Sequence, residues 1–543
     1  MSRKLPVGIQ DFVKIREEGF LYVDKTARIH QLITNAAGPV FLSRPRRFGK
    51  SLLCSTLGAV FEGKRELFGP LAGQPALAID SLDWEWKRYP VIRIDLNAGD
   101  YTQGLGELNA GLRNSLERNA GTHGLSLRGE TLSVMFSQLL WELADKYHER
   151  AAVLIDEYDK PLLSTIDNKE LHAAMRNALK GFYGVLKSSD ACTRFVLLTG
   201  VTRFSQVSVF SDLNSLVDIS LDGRYADICG ISQEELERDF APEIAEIARE
   251  KNIAAGDYLD RLRRFYNGYR FSEKPETLYN PFGLLNHFYN NGRFDSYWFA
   301  TGTPSFLIKL IEEQHINILE LSNKQVWYED FQKYDVENMA ALPTLYQSGY
   351  LTISGYDEGR NCFILDYPNE EVRASFAGSL VERYLRVGVG CRQTLAVKLT
   401  DALFRGDAGG AVESLRPFFA SIPYDLTVKN ENYYQTAVHL VFTMLGLRCR
   451  SEVRTAAGRI DTLVETGEYV YCFEFKLGGA GKRVTAEDAL RQIDSRDYLL
   501  PWRGKGKSLV KVGVVFDTEK RNIGEWKAEG AVANDGGDAP AEL

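Results

Sequence analysis

Four apolar runs, "PVFLS" from Pro39, "YPVIRIDL" from Tyr89, "AAVLIDEYD" from Ala151 and "RFVLLTGVTRF" from Arg194, are separated by long stretches of helical spacing such as Glu130 to Arg150 and Lys169 to Lys187. Strands that are apolar along their whole length must be covered on both faces, and alternation with helices supplies that cover. The amino-terminal part is therefore predicted to be an α/β unit built on a parallel sheet. With 543 residues the chain exceeds a single core; at about 150 residues per domain it should divide into roughly three to four units.

Past residue 230 the strands thin out and helices dominate, beginning with "ISQEELERDF", where Ser232 and Glu235 have capping-box spacing. The segment "LPTLYQSGYLTISGYDEGRNCFILDYPN" reads as a helix followed by a small hairpin, a combination that suits a winged-helix-like module. From about Asn430 the order changes to the helix "ENYYQTAVHLVFTMLG", the strands "IDTLVE" and "YVYCFEFKL" around "ETGE", the helix "TAEDALRQIDSRDYLLP" and the strand "SLVKVGVVFD". This predicts a compact α/β domain of ordinary size. The expected division is 1–230, 231–425, 426–522, and a disordered acidic tail over 523–543.

Composition narrows the setting. The seven cysteines are scattered, without a CxxC pair, which favours thiols in a reducing cytoplasm. No amino-terminal signal pattern and no long uninterrupted apolar stretch appears, so neither secretion nor a membrane partner is expected. A net charge of −8 speaks against a general basic coat, so contact with nucleic acid would have to be local.

The loop "RPRRFGKS" between the first strand and its helix ends in the Gly-Lys-Ser of a Walker A motif. Gly49 and the following backbone N–H groups would hold phosphate oxygens, Lys50 would reach the β and γ phosphates of ATP, and the Ser51 hydroxyl would ligate Mg²⁺. The usual first glycine is Arg44 here, while Arg46 and Arg47 add positive charge. The strand "AVLIDEYD" has the Walker B pattern, with Asp156 holding Mg²⁺ and Glu157 polarising the attacking water. Thr199, ending the strand "FVLLTG", and Arg203 beyond it are candidates to sense the γ-phosphate, although polar residues at strand ends are commonly only solvated caps.

A second constellation lies in "RIDTLVETGEYVYCFEFKLGGA". Residues two apart on a strand face the same way, so Glu474 and Lys476 project together while Phe473 and Phe475 face the other side. A hairpin through "ETGE" brings Asp461 towards Glu474. Two carboxylates suit the hard ions Mg²⁺ and Mn²⁺, and a neighbouring lysine can hold or help deprotonate a water nucleophile, an arrangement that serves phosphodiester hydrolysis. Glu431 on the preceding helix could add a carboxylate, and Gln492 on the following helix could orient water or phosphate. The plain alternative is an ion pair on an exposed sheet face. His439, eight residues after Glu431, is read as a packing or surface histidine.

These segments resemble the AAA-ATPase-like family of bacteria and archaea, through "LPVGIQDFVKIREEGFLYVDKT", "RPRRFGKS", "LIDEYD" and "TGVTRFSQVSVFSDLNSLVDIS"; Arg44 in place of glycine looks typical of it. Its members commonly end in a PD-(D/E)XK nuclease-superfamily domain, to which "ENYYQ", "GRIDTLV", "FEFKLG" and "ALRQI" are similar in order. The resemblance implies metal ligation by Asp461 and Glu474, a catalytic role for Lys476 and supporting roles for Glu431 and Gln492. Where some nuclease relatives carry a tyrosine four residues after the glutamine, this chain has Arg496, with Tyr498 two later. The expected protein is a cytoplasmic ATPase and Mg²⁺-dependent nuclease regulated by ATP, DNA being favoured over RNA by resemblance, and a homo-oligomer is left open. The competing readings are a nucleotide-switched sensor that binds without cutting, and a motor that remodels nucleic acid.

Overall fold

The computed structural model describes residues 3–203, 215–301, 305–314, 316–332, 340–384, 389–422, 431–455, 458–479 and 484–531. Part of the family-like stretch "TGVTRFSQVSVFSDLNSLVDIS", residues 204–214, lies outside them. The chain forms two compact units, Met1–Thr301 with Asn323–Asn369, and Gly302–Ser322 with Glu370–Leu543.

The first unit is built on five strands, β1 (Val40–Ser43), β2 (Val91–Asp95), β3 (Ala151–Asp156), β4 (Thr193–Gly200) and β5 (Val217–Asp218), in the order β2-β3-β4-β1-β5 with every neighbouring pair parallel. The expected parallel α/β sheet is present, and β1 and β3 are buried along their whole length. Helix Lys50–Phe61 packs against β2, β3 and β4, and helices Leu105–Thr122 and Leu132–Tyr147 against β2 and β3. Strand order has a direct consequence for function. Because β4 lies between β1 and β3, its carboxyl end separates the loop after β1 from the acidic end of β3.

Strands β6 (Ile231–Ser232) and β7 (Leu278–Tyr279) pair beside a helical core that includes Leu236, Phe240, Tyr258, Tyr266 and Phe288. The capping box at Ser232 and Glu235 forms as its spacing predicts. His287 is wholly buried in this core. The Arg293 carbonyl, 3.1 Å from Nδ1, requires the proton there, so Nε2 accepts from the Tyr258 hydroxyl at 2.5 Å. Burial pushes the ring's pKa down to about 3. The unfolded chain takes up a proton below about pH 6.5 and the folded one does not, so stability is lost as pH falls, by up to about 1.4 kcal/mol per pH unit. His287 should therefore lower the melting temperature of the first unit at pH 5 relative to pH 7, and His287→Gln should remove that contribution.

Helix Ala341–Gln347 is followed by an antiparallel hairpin of β9 (Thr352–Asp357) and β10 (Cys362–Asp366), with β8 (Lys324–Trp327) completing a three-stranded sheet on the far side of β10.

The second unit carries a mixed sheet of β11 (Arg448–Thr455), β12 (Gly458–Glu465), β13 (Tyr469–Gly478), β14 (Ser508–Asp517) and β15 (Asn522–Ala531), in that order; only β13 and β14 are parallel. Helix Glu431–Met444 packs on β11, β12 and β13, and helix Ala486–Ser495 on β13, β14 and β15. The unit also takes in helices Glu370–Tyr384, Val389–Phe404 and Ala408–Ser421, upstream of residue 426. Residues 523–531 do not open a disordered tail; they form β15, whose Ile523 is buried. Their charges conceal the strand in the sequence because they belong to a sheet edge, where Lys527 pairs with Glu487 and Glu529 with Lys511. Among the described residues, no helix is long and apolar enough to cross a membrane.

Candidate functional site

The loop after β1 closes on the helix Lys50–Phe61 through Gly49, whose φ of 99° is left-handed and suits glycine. Gly49, Lys50, Ser51, Asp156 and Glu157 line one cavity of about 300 Å³, together with Arg46, Arg47 and Val201. The buried Lys50 ammonium donates to the carbonyls of Arg44 and Pro45 at 3.1 and 3.3 Å and lies 3.5 Å from the Glu157 carboxylate. Asp156 accepts from the hydroxyls of Ser51 and Thr199. Burial raises its pKa, and those two hydroxyls work against the rise. A carboxylate joined to the Ser51 hydroxyl at a helix N-terminus is a donor set that fits Mg²⁺ with a nucleotide phosphate.

Two sequence candidates do not line this cavity. Thr199 is fully buried and gives its hydroxyl to Asp156, so it faces the site only through that carboxylate. Arg203 is turned to β5, where it pairs with Asp218, while its backbone N–H donates to the Gln347 side chain at 3.0 Å.

Arg44, which replaces the glycine, is buried and accounts for the loop's shape. Its guanidinium donates to the carbonyls of Ser43, Ser220, Tyr225 and Ala226 at 2.8 to 3.3 Å and stacks 4.1 Å from the Phe271 ring. The loop is thus fixed by a side chain that reaches away from the cavity. Nothing in the local sequence signals this, since three of the four carbonyls lie some 180 residues further on.

In the second unit β12 and β13 pair through Thr462 and Phe473, and Asp461 lies one step beyond. Its carboxylate caps the ladder by accepting the Phe475 N–H at 2.8 Å. Lys476 donates to Glu474 at 2.9 Å. Glu474 is only 1% exposed and Lys476 22%, so this is not an ion pair on an open sheet face. Phe473 and Phe475 are buried on the opposite side. Asp461, Glu474 and Lys476 line a cleft of about 700 Å³, with Glu431 and Gln492 on its walls. Arg459, Arg491, Arg496 and Tyr498 line it too, and the Gln492 amide approaches the Tyr498 hydroxyl at 3.4 Å.

Burial, aggravated by the neighbouring carboxylates, pushes Asp461 up to about 6 and Glu474 up to about 7. For Lys476, burial alone would lower the pKa, but Glu474, Asp461 and Glu431 outweigh it and the net shift is upward. One oxygen of Glu474, Oε2, is buried without a partner. Two crowded carboxylates with a spare oxygen fit a hard divalent cation, whose charge would relieve the repulsion.

Gln435, one turn after Glu431 and buried, is a further residue of the site that the sequence signals only through its spacing of four, which places both on one helix face. Its amide donates to the Asp461 carbonyl at 2.7 Å and to Glu452 at 2.8 Å. Glu452, at φ 57°, lies in the β11–β12 ladder opposite Asp461, at the step between the Ser451–Thr462 and Val453–Ile460 pairs, with the register unbroken on either side. His439 packs against Ser451 at 2.8 Å and does not line the cleft.

Comparison with known proteins finds matches over the two segments that carry these residues. Residues 6–210 match the family described as predicted AAA-ATPase, and residues 429–526 match the PD-(D/E)XK nuclease superfamily. A protein of Azotobacter chroococcum mcd 1, described as an uncharacterized protein in the vnfD 5′ region, is 37% identical over 533 residues, covering 96% of this chain and 98% of the relative. The chain belongs to the AAA-ATPase-like family and carries a PD-(D/E)XK nuclease-superfamily domain towards its carboxyl end.

Proposed function

We propose that the protein is an ATP-regulated, Mg²⁺-dependent nuclease that hydrolyses phosphodiester bonds, with DNA preferred to RNA. The observation that carries the reading is the convergence of Asp461, Glu474 and Lys476 in one cleft, with Glu474 Oε2 buried and unpartnered. Asp461 and Glu474 would hold the metal, which supplies Lewis acidity towards the scissile phosphate. Lys476 holds the attacking water and contributes positive charge beside the phosphate; Glu431 and Gln492 bind and orient at the cleft walls. Arg459, Arg491 and Arg496, which line the cleft, would neutralise backbone phosphates. At the other site Gly49, Lys50 and Ser51 bind the ATP phosphates, Asp156 holds Mg²⁺ and Glu157 orients water for hydrolysis. The described cysteines are buried free thiols, in keeping with work in the cytoplasm.

The test is incubation of the pure chain with plasmid DNA, linear DNA and RNA in Mg²⁺ or Mn²⁺, beside Lys476→Ala. Cleavage that needs the divalent ion and falls by about 10²-fold or more in the variant is expected. Equal cleavage by parent and variant would sink the assigned site. Metal binding without cleavage of any of these substrates would favour a sensor that binds and does not cut.

A further inference from the structure

Asp159 closes the acidic turn "DEYD" and is completely buried. One of its oxygens, Oδ2, accepts from the Val201 N–H at 3.0 Å, the Thr202 N–H at 2.6 Å and the Thr202 hydroxyl at 2.5 Å. Its other oxygen has no partner. Two more bonds run alongside, from the Tyr158 N–H to the Thr199 carbonyl and from the Tyr158 hydroxyl to the Thr202 carbonyl, both 3.0 Å. Gly200 leaves the space this requires: a Cβ there would lie 2.5 Å from the Tyr158 ring and 2.7 Å from Asp159 Oδ1.

These bonds join two segments that both border the nucleotide cavity. The turn after β3 carries Asp156 and Glu157, and the end of β4 carries Thr199, bonded to Asp156, and Val201, which lines the cavity. Glu157 sits at φ 52°, a left-handed conformation that a non-glycine residue keeps only where its surroundings impose it. The bonds on either side of Glu157 impose it, from the Glu157 N–H to Asp156 at 3.1 Å and from Tyr158 N–H across to β4. None of them involves the Gly49–Ser51 segment that would grip the phosphates.

We propose that Asp159 is a positioning residue for ATP turnover, clamping the end of β4 to the turn after β3 so that Glu157 and Asp156 are held in the geometry that hydrolysis needs. The inference rests on the ATPase reading above. An ionised carboxylate suits the task, since its charge strengthens the bonds from three donors converging on one oxygen, whereas the neutral amide oxygen of asparagine holds them more weakly.

The experiment measures ATP affinity and steady-state turnover for the full chain and for Asp159→Asn, Thr202→Val and Thr202→Ser. Asp159→Asn should lower turnover at saturating ATP by about tenfold or more while the Kd for ATP moves by less than about threefold, the signature of lost orientation and not of lost binding. Thr202→Val should slow turnover several-fold, and Thr202→Ser, which keeps the hydroxyl, should remain close to the parent. The proposal is overturned if Asp159→Asn turns over like the parent, if it loses affinity and turnover in equal proportion, or if Thr202→Ser is as slow as Thr202→Val. A parent that binds ATP but shows no turnover overturns the ATPase reading itself, a result distinct from the other three.

Discussion

Glu474→Gln should abolish metal-dependent cleavage and at the same time make the metal-free protein more stable. The first effect follows from removing a charged ligand: several kcal/mol of charge stabilisation lost from the transition state corresponds to roughly 10²–10⁴ in rate. The second follows from electrostatics in the absence of metal. Burial and Asp461 raise Glu474 to about 7, above its unfolded value of 4.5. The folded state therefore binds the proton more tightly, and the stability this brings is complete below pH 4.5 and lost as pH rises through 7. At pH 8 the parent bears the whole cost of an ionised, crowded carboxylate, and the variant escapes it, by about 1–3 kcal/mol. At pH 4 the two should melt together. Saturating Mg²⁺ should reverse their order at pH 8, since a ligand bound only by the folded parent raises its melting temperature. Thermal melts at the two pH values, with and without metal, check each part. A variant less stable than the parent at pH 8 without metal would contradict the account of this cleft.

Arg44→Gly, which restores the glycine usual in a Walker A loop, should damage the protein. The guanidinium serves four backbone carbonyls and packs on Phe271 from a buried position. Its removal takes a donor away from each of those carbonyls and opens a cavity, at a cost above about 3 kcal/mol. The Arg44 and Pro45 carbonyls also fix Lys50, so the loss should reach ATP binding. Arg44→Lys keeps a charge but cannot span the same carbonyls from one planar group, and should rescue little. Denaturant melts and ATP titrations of both variants measure this. A glycine variant as stable and as competent for ATP as the parent would remove Arg44 from the account.

Which features could be read in advance follows from the range of the interactions. Gly49, Lys50 and Ser51 follow a strand and open a helix, and Asp156 and Glu157 end another strand; both contexts are local, so order along the chain was enough. Asp461, Glu474 and Lys476 were legible because strand periodicity and one tight turn decide which side chains meet. Long-range partners were not. Arg44 finds its carbonyls at Ser220, Tyr225 and Ala226, and Arg203 its carboxylate at Asp218 on β5, which no spacing rule supplies. Asp159 reads like any solvated acid at a strand end until β4 is seen beside β3. Glu452 depends on a left-handed backbone conformation inside β11, and β15 is masked by the charges proper to an edge.

We propose that one chain joins a nucleotide site to a metal-dependent phosphodiesterase site. This is tested most directly by plasmid cleavage in Mg²⁺ across an ATP titration, with the parent, Lys476→Ala and Lys50→Ala side by side. The parent should cut at a rate that changes with ATP, Lys476→Ala should not cut at any ATP concentration, and Lys50→Ala should cut at a rate indifferent to ATP. Cleavage by Lys476→Ala equal to the parent's, or the same response to ATP in Lys50→Ala as in the parent, would contradict the proposal.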